Sequence, residues 1–111
     1  MPRDANPSGD IFGGWVLSQM DIAAGMTASQ RSHGRVATVA IDAMSFHFPV
    51  FVGDILCVYT EMVRIGTTSM KIHVEAWAIR VSVGKDVKVT EGLFTFVAID
   101  QDRKPRPVPP V

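Results

Sequence analysis

The sequence is short of the features that define several common functional classes. It has one cysteine in 111 residues, so no disulfide can form within the chain, which is typical of a reducing, cytoplasmic compartment. Eleven basic and eleven acidic side chains cancel, and a neutral chain offers no extended field for nucleic acid or an anionic membrane. No apolar run approaches the roughly 20 residues that span a bilayer. We therefore expect a cytoplasmic protein that binds neither nucleic acid nor membrane.

One long helix is predicted near the N-terminus. Residues 1–10 are rich in Pro, Asp, Asn, Ser and Gly, and such a composition is typical of turns. The helix is expected from about Gly14 to Ser32. After it, His33 lies beside the helix end and Gly34 suits a left-handed C-terminal cap.

Four strands are predicted after the helix. The segments RVATVAIDAMSFHF, ILCVYTEMVRI, SMKIHVEAWAIRV and VKVTEGLFTFVAID are rich in β-branched residues and alternate in polarity. Gly66, Thr67 and Thr68 are predicted to form a hairpin turn between the second and the third segment. The pattern predicts a single α+β domain over residues 1–111, in which one helix covers one antiparallel sheet. Residues 101–111 form a basic, proline-rich tail.

Asp21 is unusual because it interrupts an apolar helix. At about 100° per residue, it shares one stripe with Gly14, Ser18, Gly25 and Ala28, which are all small. Most residues on the other sides of the helix are apolar, so we expect protein to surround the helix on most sides. An ionised carboxylate there must find a hydrogen-bond partner, become protonated or reach water in a cleft. A structural aspartate, tied to a backbone amide or an arginine, and a functional carboxylate both fit this pattern.

Two glycines at the start of the same helix favour the functional alternative. The N–H groups of a helix N-terminus are free, and Gly13 and Gly14 let a ligand approach them closely, as a developing oxyanion requires. Asp21 follows about 10 to 12 Å further along the axis, too far for both groups to act on one substrate atom within one helix. Two antiparallel helices related by a two-fold axis would bring the glycines of one chain to the aspartate of the other.

The segments RDANPSGDIFGGWVLSQMD, RVATVAIDAMSFHFPVFVGD, RIGTTSMKIHVEAW, FTFVAID and KPRPVPP together resemble the hotdog-fold acyl-CoA thioesterases of the bacterial YciA-like type. The resemblance covers nearly the whole chain. It implies a long helix enclosed by a curved antiparallel sheet, a homodimer with active sites at its interface, and a trimer of such dimers. It also implies hydrolysis of acyl-CoA to fatty acid and coenzyme A without a cofactor. Family members usually have one strand before the N-terminal loop, so the chain is expected to lack that strand.

The resemblance also implies roles for individual residues. Asp21 corresponds to the catalytic carboxylate, Asn6 to its polar partner from the facing subunit, and Gly13 or Gly14 to the oxyanion donor. By the same likeness, the channel for coenzyme A is bordered by Arg64, Gly66, Thr67, Thr68 and Ser69. Because a thiol with a pKa of about 8.5 leaves readily, one carboxylate and one helix terminus suffice for thioester hydrolysis. Asp21 acts either as a general base towards water or as a nucleophile that forms an anhydride.

The tail contains the densest positive cluster of the chain, formed by Arg103, Lys104 and Arg106. These side chains either bind the phosphates of coenzyme A or form a solvated tail.

No metal site is predicted. His47 and His73 share no metal-ligand spacing with one another or with Cys57, which is expected to be a small buried hydrophobe.

Two other functional classes stay open. A non-catalytic acyl-CoA sensor would use the same pocket and bind the ligand without turnover. A hotdog dehydratase or hydratase would need a histidine beside the carboxylate, and the segment from Gly13 to Asp21 contains none. The fold alone does not distinguish these classes.

Overall fold

The computed structural model describes residues 10–11, 13–80 and 84–110. The four long strands form one antiparallel sheet in the order β2-β6-β5-β4, while β1 and β3 form a separate short pair. The elements are β1 (Asp10–Ile11), α1 (Gly13–Ser32), β2 (Val36–Phe46), β3 (Val50–Phe51), β4 (Ile55–Ile65), β5 (Ser69–Arg80) and β6 (Lys85–Ala98). The predicted α+β architecture, with one helix packed on one antiparallel sheet, is confirmed.

The core lies between α1 and the face of the sheet that the helix covers. Alternate residues of β5, from Met70 to Ala78, are buried, and those between them are half-exposed. Phe94 and Phe96 of β6 extend this apolar face. The helix adds a buried stripe at every fourth position, formed by Val16, Met20, Ala24, Ala28 and Ser32. Because side chains alternate along a strand, a register slip of one residue would turn the apolar face of β5 away from the helix.

The side of α1 opposite the sheet is not covered by any residue that the structure describes. Ile22 is 56% exposed and Met26 is 61% exposed. Among the described residues the sheet packs against one side of the helix, so the cover expected on the remaining sides does not come from these residues. None of the helices described here is long and apolar enough to cross a membrane.

The helix ends in a Schellman-type turn in which His33 takes the left-handed conformation, with φ of 59°. The Gly34 amide donates a 3.2 Å hydrogen bond to the Ser29 carbonyl, which closes this turn. The predicted left-handed role of Gly34 is thus wrong by one residue. Gly34 matters for a different reason: a Cβ at this position would lie 2.6 Å from Nη2 of Arg106 and would force that guanidinium to move.

The chain after β6 packs against the end of the helix and the turn between β4 and β5. The Val108 amide donates to the Thr67 carbonyl at 2.8 Å, and Arg31 Nη1 donates to the Pro109 carbonyl at 2.6 Å. Residues 105–109 therefore form an ordered extension of the fold. Cys57, expected to be buried, is only partly buried on the edge strand β4.

Candidate functional site

Asp21 lies half-buried in the middle of α1, on the side that faces the edge strand β2. Its Oδ1 accepts a 2.7 Å hydrogen bond from Oγ1 of Thr38. This length is ordinary for an O–H···O hydrogen bond. Within the described ranges, Asp21 bonds to neither an arginine nor a backbone amide, so the structural alternative receives no support there.

Thr38 is a site residue that the sequence reasoning missed. It is an exposed residue of β2, and its backbone pairs with Phe96 of β6. The alternation of β2 indicates which face Thr38 occupies, but only the packing of α1 against the sheet determines which helical residue it meets.

The helix begins at Gly13, as the glycine pair predicts. Gly14 is exposed, and a Cβ added there would find no heavy atom within 4 Å. A ligand can therefore approach the free N–H groups of the first turn. Asp21 follows about 10 to 12 Å along the same continuous helix, so the structure does not bring the glycines and Asp21 together within one chain. Asn6 lies outside the described residues, and its role stays a prediction.

The residues predicted to border a coenzyme A channel lie together at one end of the sheet. Gly66, Thr67 and Thr68 form the turn between β4 and β5, and the Gly66 amide donates to the Ser69 carbonyl at 2.8 Å. Arg64 is exposed just before this turn.

The end of β6 and part of the chain after it lie beside the same turn, since the Ala98 amide donates to the Thr68 carbonyl at 2.9 Å and the Val108 amide to the Thr67 carbonyl at 2.8 Å. Arg103 and Lys104 are exposed in the loop between these two contacts. Their loop is held by Asp100, whose Oδ1 accepts the Lys104 amide at 3.0 Å. The loop that carries these two cations is thus connected to segments that contact the β4–β5 turn.

Arg106 differs from its predicted role in phosphate binding. Its Nε donates to the Ile99 carbonyl at 2.8 Å and its Nη1 to the Ser32 carbonyl at 2.9 Å. Its Nη2 lies 3.3 Å from both Ser32 Oγ and the Arg35 carbonyl. The guanidinium is thus used to hold the C-terminal end of α1, where a cation also favours the helix dipole.

A mostly apolar cavity of about 310 Å³ lies beside the first turns of α1. This volume is at the lower end of the range for small-molecule sites. It is lined by Val16, Phe46, His47, Phe48, Pro49, Val50 and Val89.

A second group of polar side chains occupies the face of the sheet away from α1. His73 Nε2 lies 3.1 Å from Glu91 Oε1, and His73 Nδ1 lies 3.8 Å from Glu75 Oε2. The hydrogen bond with His73, assisted by Lys88 and His47 and only partly opposed by desolvation, holds the pKa of Glu91 below its ordinary value. Sequence spacing did not reveal this group because the pairing of β5 with β6 places Glu75 opposite Glu91.

Comparisons with known proteins agree with this fold. The family described as the thioesterase superfamily matches residues 8–84. The chain is 50% identical to the acyl-CoA thioester hydrolase YciA of Salmonella typhimurium, over 98% of this chain and 84% of that protein. A hexameric thioesterase from Yersinia pestis is similar in structure, with a TM-score of 0.96, 44% identity, and coverage of 99% of this chain and 90% of that chain. A hexameric hotdog-fold thioesterase of Campylobacter jejuni gives a TM-score of 0.91 and 44% identity, with coverage of 98% and 84%.

Proposed function

The chain belongs to the thioesterase superfamily, and on this premise we propose that it hydrolyses acyl-coenzyme A to a free carboxylic acid and coenzyme A. The observation that carries the proposal is Asp21, a carboxylate held by Thr38 on a helix that is otherwise mostly apolar. A charge at such a position contributes little to the stability of the fold. A hydrolase, in contrast, needs a carboxylate whose oxygens are held in a fixed orientation towards the attacking water.

The reaction needs few groups. Thr38 fixes Oδ1 of Asp21, and the carboxylate takes a proton from a water molecule whose oxygen attacks the thioester carbonyl carbon. The Gly14 N–H stabilises the negative charge that develops on the carbonyl oxygen, and Asn6 positions the water. The carbon–sulfur bond then breaks, and coenzyme A leaves as a thiolate, which is stable enough to need no strong general acid.

Two copies of the chain form each site in this proposal, because Gly14 and Asp21 of one chain lie too far apart. Two surfaces fit a second copy. Ile22 and Met26 form an exposed apolar face of α1. The neighbouring edge strand Val36–Phe46 is eleven residues long and exposes several apolar side chains. An exposed edge of this length favours pairing with another chain. We propose a homodimer across α1 and β2, and a trimer of such dimers by analogy with the two hexameric thioesterases.

The nucleotide part of coenzyme A is proposed to bind beside the β4–β5 turn. Its phosphates would meet Arg64, Arg103 and Lys104, while the turn residues Gly66, Thr67, Thr68 and Ser69 line the approach. Arg106 is left out of this set because its guanidinium holds the end of α1.

Reversing two of these charges tests the phosphate contacts. Replacing Arg103 and Lys104 by glutamate should raise the Michaelis constant for acyl-CoA but not for an acyl-pantetheine, which lacks the nucleotide phosphates. Lys85→Glu, an exposed change at the start of β6, is the matched control. Equal effects on the two substrates would contradict the assignment.

The acyl chain is proposed to occupy the apolar cavity beside the first turns of α1. The helical residue that lines this cavity is Val16, two positions after Gly14, whose N–H would hold the carbonyl oxygen. A volume of about 310 Å³ favours chains of limited length, so kcat/KM should fall beyond a certain number of carbons in a ladder of acyl-CoA substrates. A rate that does not depend on chain length would argue against this cavity as the acyl site.

The central experiment compares free-thiol release by the wild-type protein and by Asp21→Asn. The variant keeps the shape of the side chain and the acceptor for Thr38 but loses the base, so kcat should fall by about 10² to 10⁴. Asp86→Asn, an exposed change of the same type, should leave it unchanged. Acyl-CoA that binds to the wild-type protein without turnover would overturn the hydrolase and support a sensor.

The two roles of Asp21 can be separated by isotope labelling. In a single turnover in H₂¹⁸O, direct attack by water puts ¹⁸O into the carboxylic acid. If Asp21 attacks and the anhydride opens at the aspartyl carbonyl, the first acid released carries an unlabelled oxygen from Asp21. A label-free first product would overturn the general-base route.

A further inference from the structure

We infer that His73, Glu75 and Glu91 form a binding site for a divalent transition-metal ion, on the face of the sheet away from α1. Each of these residues offers one ligand atom, and the three atoms lie within 4.8 Å of one another. The site is separate from Asp21 and Thr38 and does not depend on the proposed hydrolase activity.

The backbone beneath the three residues is well fixed. β5 and β6 are the two central strands of the sheet, and their register pairs Glu75 directly with Glu91 and His73 with Leu93. The three side chains are about one third exposed, at 29% to 31%. Ligands on central strands need little reordering to meet a metal ion, and partial exposure leaves a path for the ion to enter.

The chemistry of the donors selects the class of metal. One imidazole nitrogen and two carboxylate oxygens suit Zn²⁺, Co²⁺ or Ni²⁺ better than Ca²⁺, which prefers a larger set of oxygens. His73 Nε2 and Glu91 Oε1 are 3.1 Å apart, close to the roughly 3.3 Å that separates two ligands of one tetrahedral zinc ion at about 2.0 Å each. His47 Nε2, 3.5 Å from Glu91 Oε2, is a further nitrogen beside the same carboxylate.

Glu75 is already oriented by its neighbour. Trp77 Nε1 donates a 2.9 Å hydrogen bond to Oε1 of Glu75, which leaves Oε2 directed at the cluster. A hydrogen bond to the oxygen that does not bind the metal is typical of ligating carboxylates.

A cation already lies between the two carboxylates. Lys88 Nζ is 3.5 Å from Glu91 Oε2 and 3.8 Å from Glu75 Oε2. The two negative charges therefore attract a positive group to this position, and a metal ion would displace the ammonium. The competition predicts that removing the Lys88 charge strengthens metal binding.

The test titrates ZnCl₂ into the full chain, freed of metal and of any histidine tag, by isothermal calorimetry, with Co²⁺ absorption as the second readout. We expect one Zn²⁺ per chain, binding at least about tenfold weaker in His73→Gln. Binding should be about five- to tenfold tighter in Lys88→Met, because the ion no longer has to displace an ammonium whose contact with a carboxylate at about 4 Å contributes roughly that factor in water. Circular dichroism checks that each variant is folded.

Two controls separate this cluster from other ligands in the chain. His33→Asn removes an imidazole at a left-handed position that asparagine tolerates, and Cys57→Ser removes the thiol; both should bind zinc as the wild type does. The inference is overturned if neither the wild type nor Lys88→Met saturates below about 1 mM zinc, or if folded His73→Gln binds equally well. Thiol release from acyl-CoA is measured separately, so failure of one proposal leaves the other standing.

Discussion

The hydroxyl of Thr38 offers the sharpest test of how Asp21 is used. Thr38→Val removes the hydroxyl, keeps the shape of the side chain and suits a β-strand equally well. The lost bond is 2.7 Å long and ends on a carboxylate, and hydrogen bonds to charged groups contribute about 1.5 to 3 kcal/mol. If the bond holds the base in the transition state, kcat/KM should fall by about 10- to 100-fold.

The same substitution should change stability much less than activity. Thr38 is exposed and Asp21 is half-exposed, so water replaces the lost partner when the protein does not bind substrate. We expect the free energy of unfolding to change by less than about 1 kcal/mol. Thr38→Ser keeps the donor and should retain most of the activity.

The matched control is Thr60→Val. Thr60 Oγ1 lies 2.7 Å from Thr27 Oγ1, so the change removes a hydroxyl bond between the same helix and the sheet, but at another strand. Thioester hydrolysis is followed by free-thiol release for all three variants. Wild-type kcat/KM in folded Thr38→Val, with Asp21→Asn inactive, would refute the idea that Thr38 positions the base.

Three further predictions concern assembly, pH and the helix end. Met26→Asp places a charge on the apolar face of α1, so we expect light scattering to show smaller assemblies and thiol release to be lost. The pKa of Glu91 is lowered in the folded state, so the wild type should be more stable than Glu91→Gln above the ordinary glutamate pKa. This difference in the free energy of unfolding should disappear as pH falls through the lowered pKa. Urea unfolding in the presence of EDTA measures it. Arg106→Met should cost about 2 kcal/mol in the same assay without changing the Michaelis constant for acyl-CoA.

The sequence predicted the elements well because their signals are local. Alternating apolar residues define β5, and the run from Gly14 to Ser32 has the glycine at its start and the cap region at its end that a helix requires. Asp21 was detected because a charged residue within an apolar helix contradicts the surrounding pattern.

The remaining features depend on contacts between distant segments. His73 and Glu91 are 18 residues apart and meet only through the register of two strands. Arg106 was assigned to phosphate from its charge, but the packing of the tail places it beside Ser32, 74 residues away. Neither the spacing of residues along the chain nor its composition predicts these contacts.

Because Gly34 and Arg106 approach each other closely, the residues that each of these two positions can accept depend on the other. A side chain at position 34 would enter the space that the guanidinium needs to reach the carbonyl of Ser32. An alanine there is tolerable only where the residue at position 106 is shorter or turned away. Across homologous sequences, we therefore expect the two positions to covary, with arginine at 106 found where 34 is glycine.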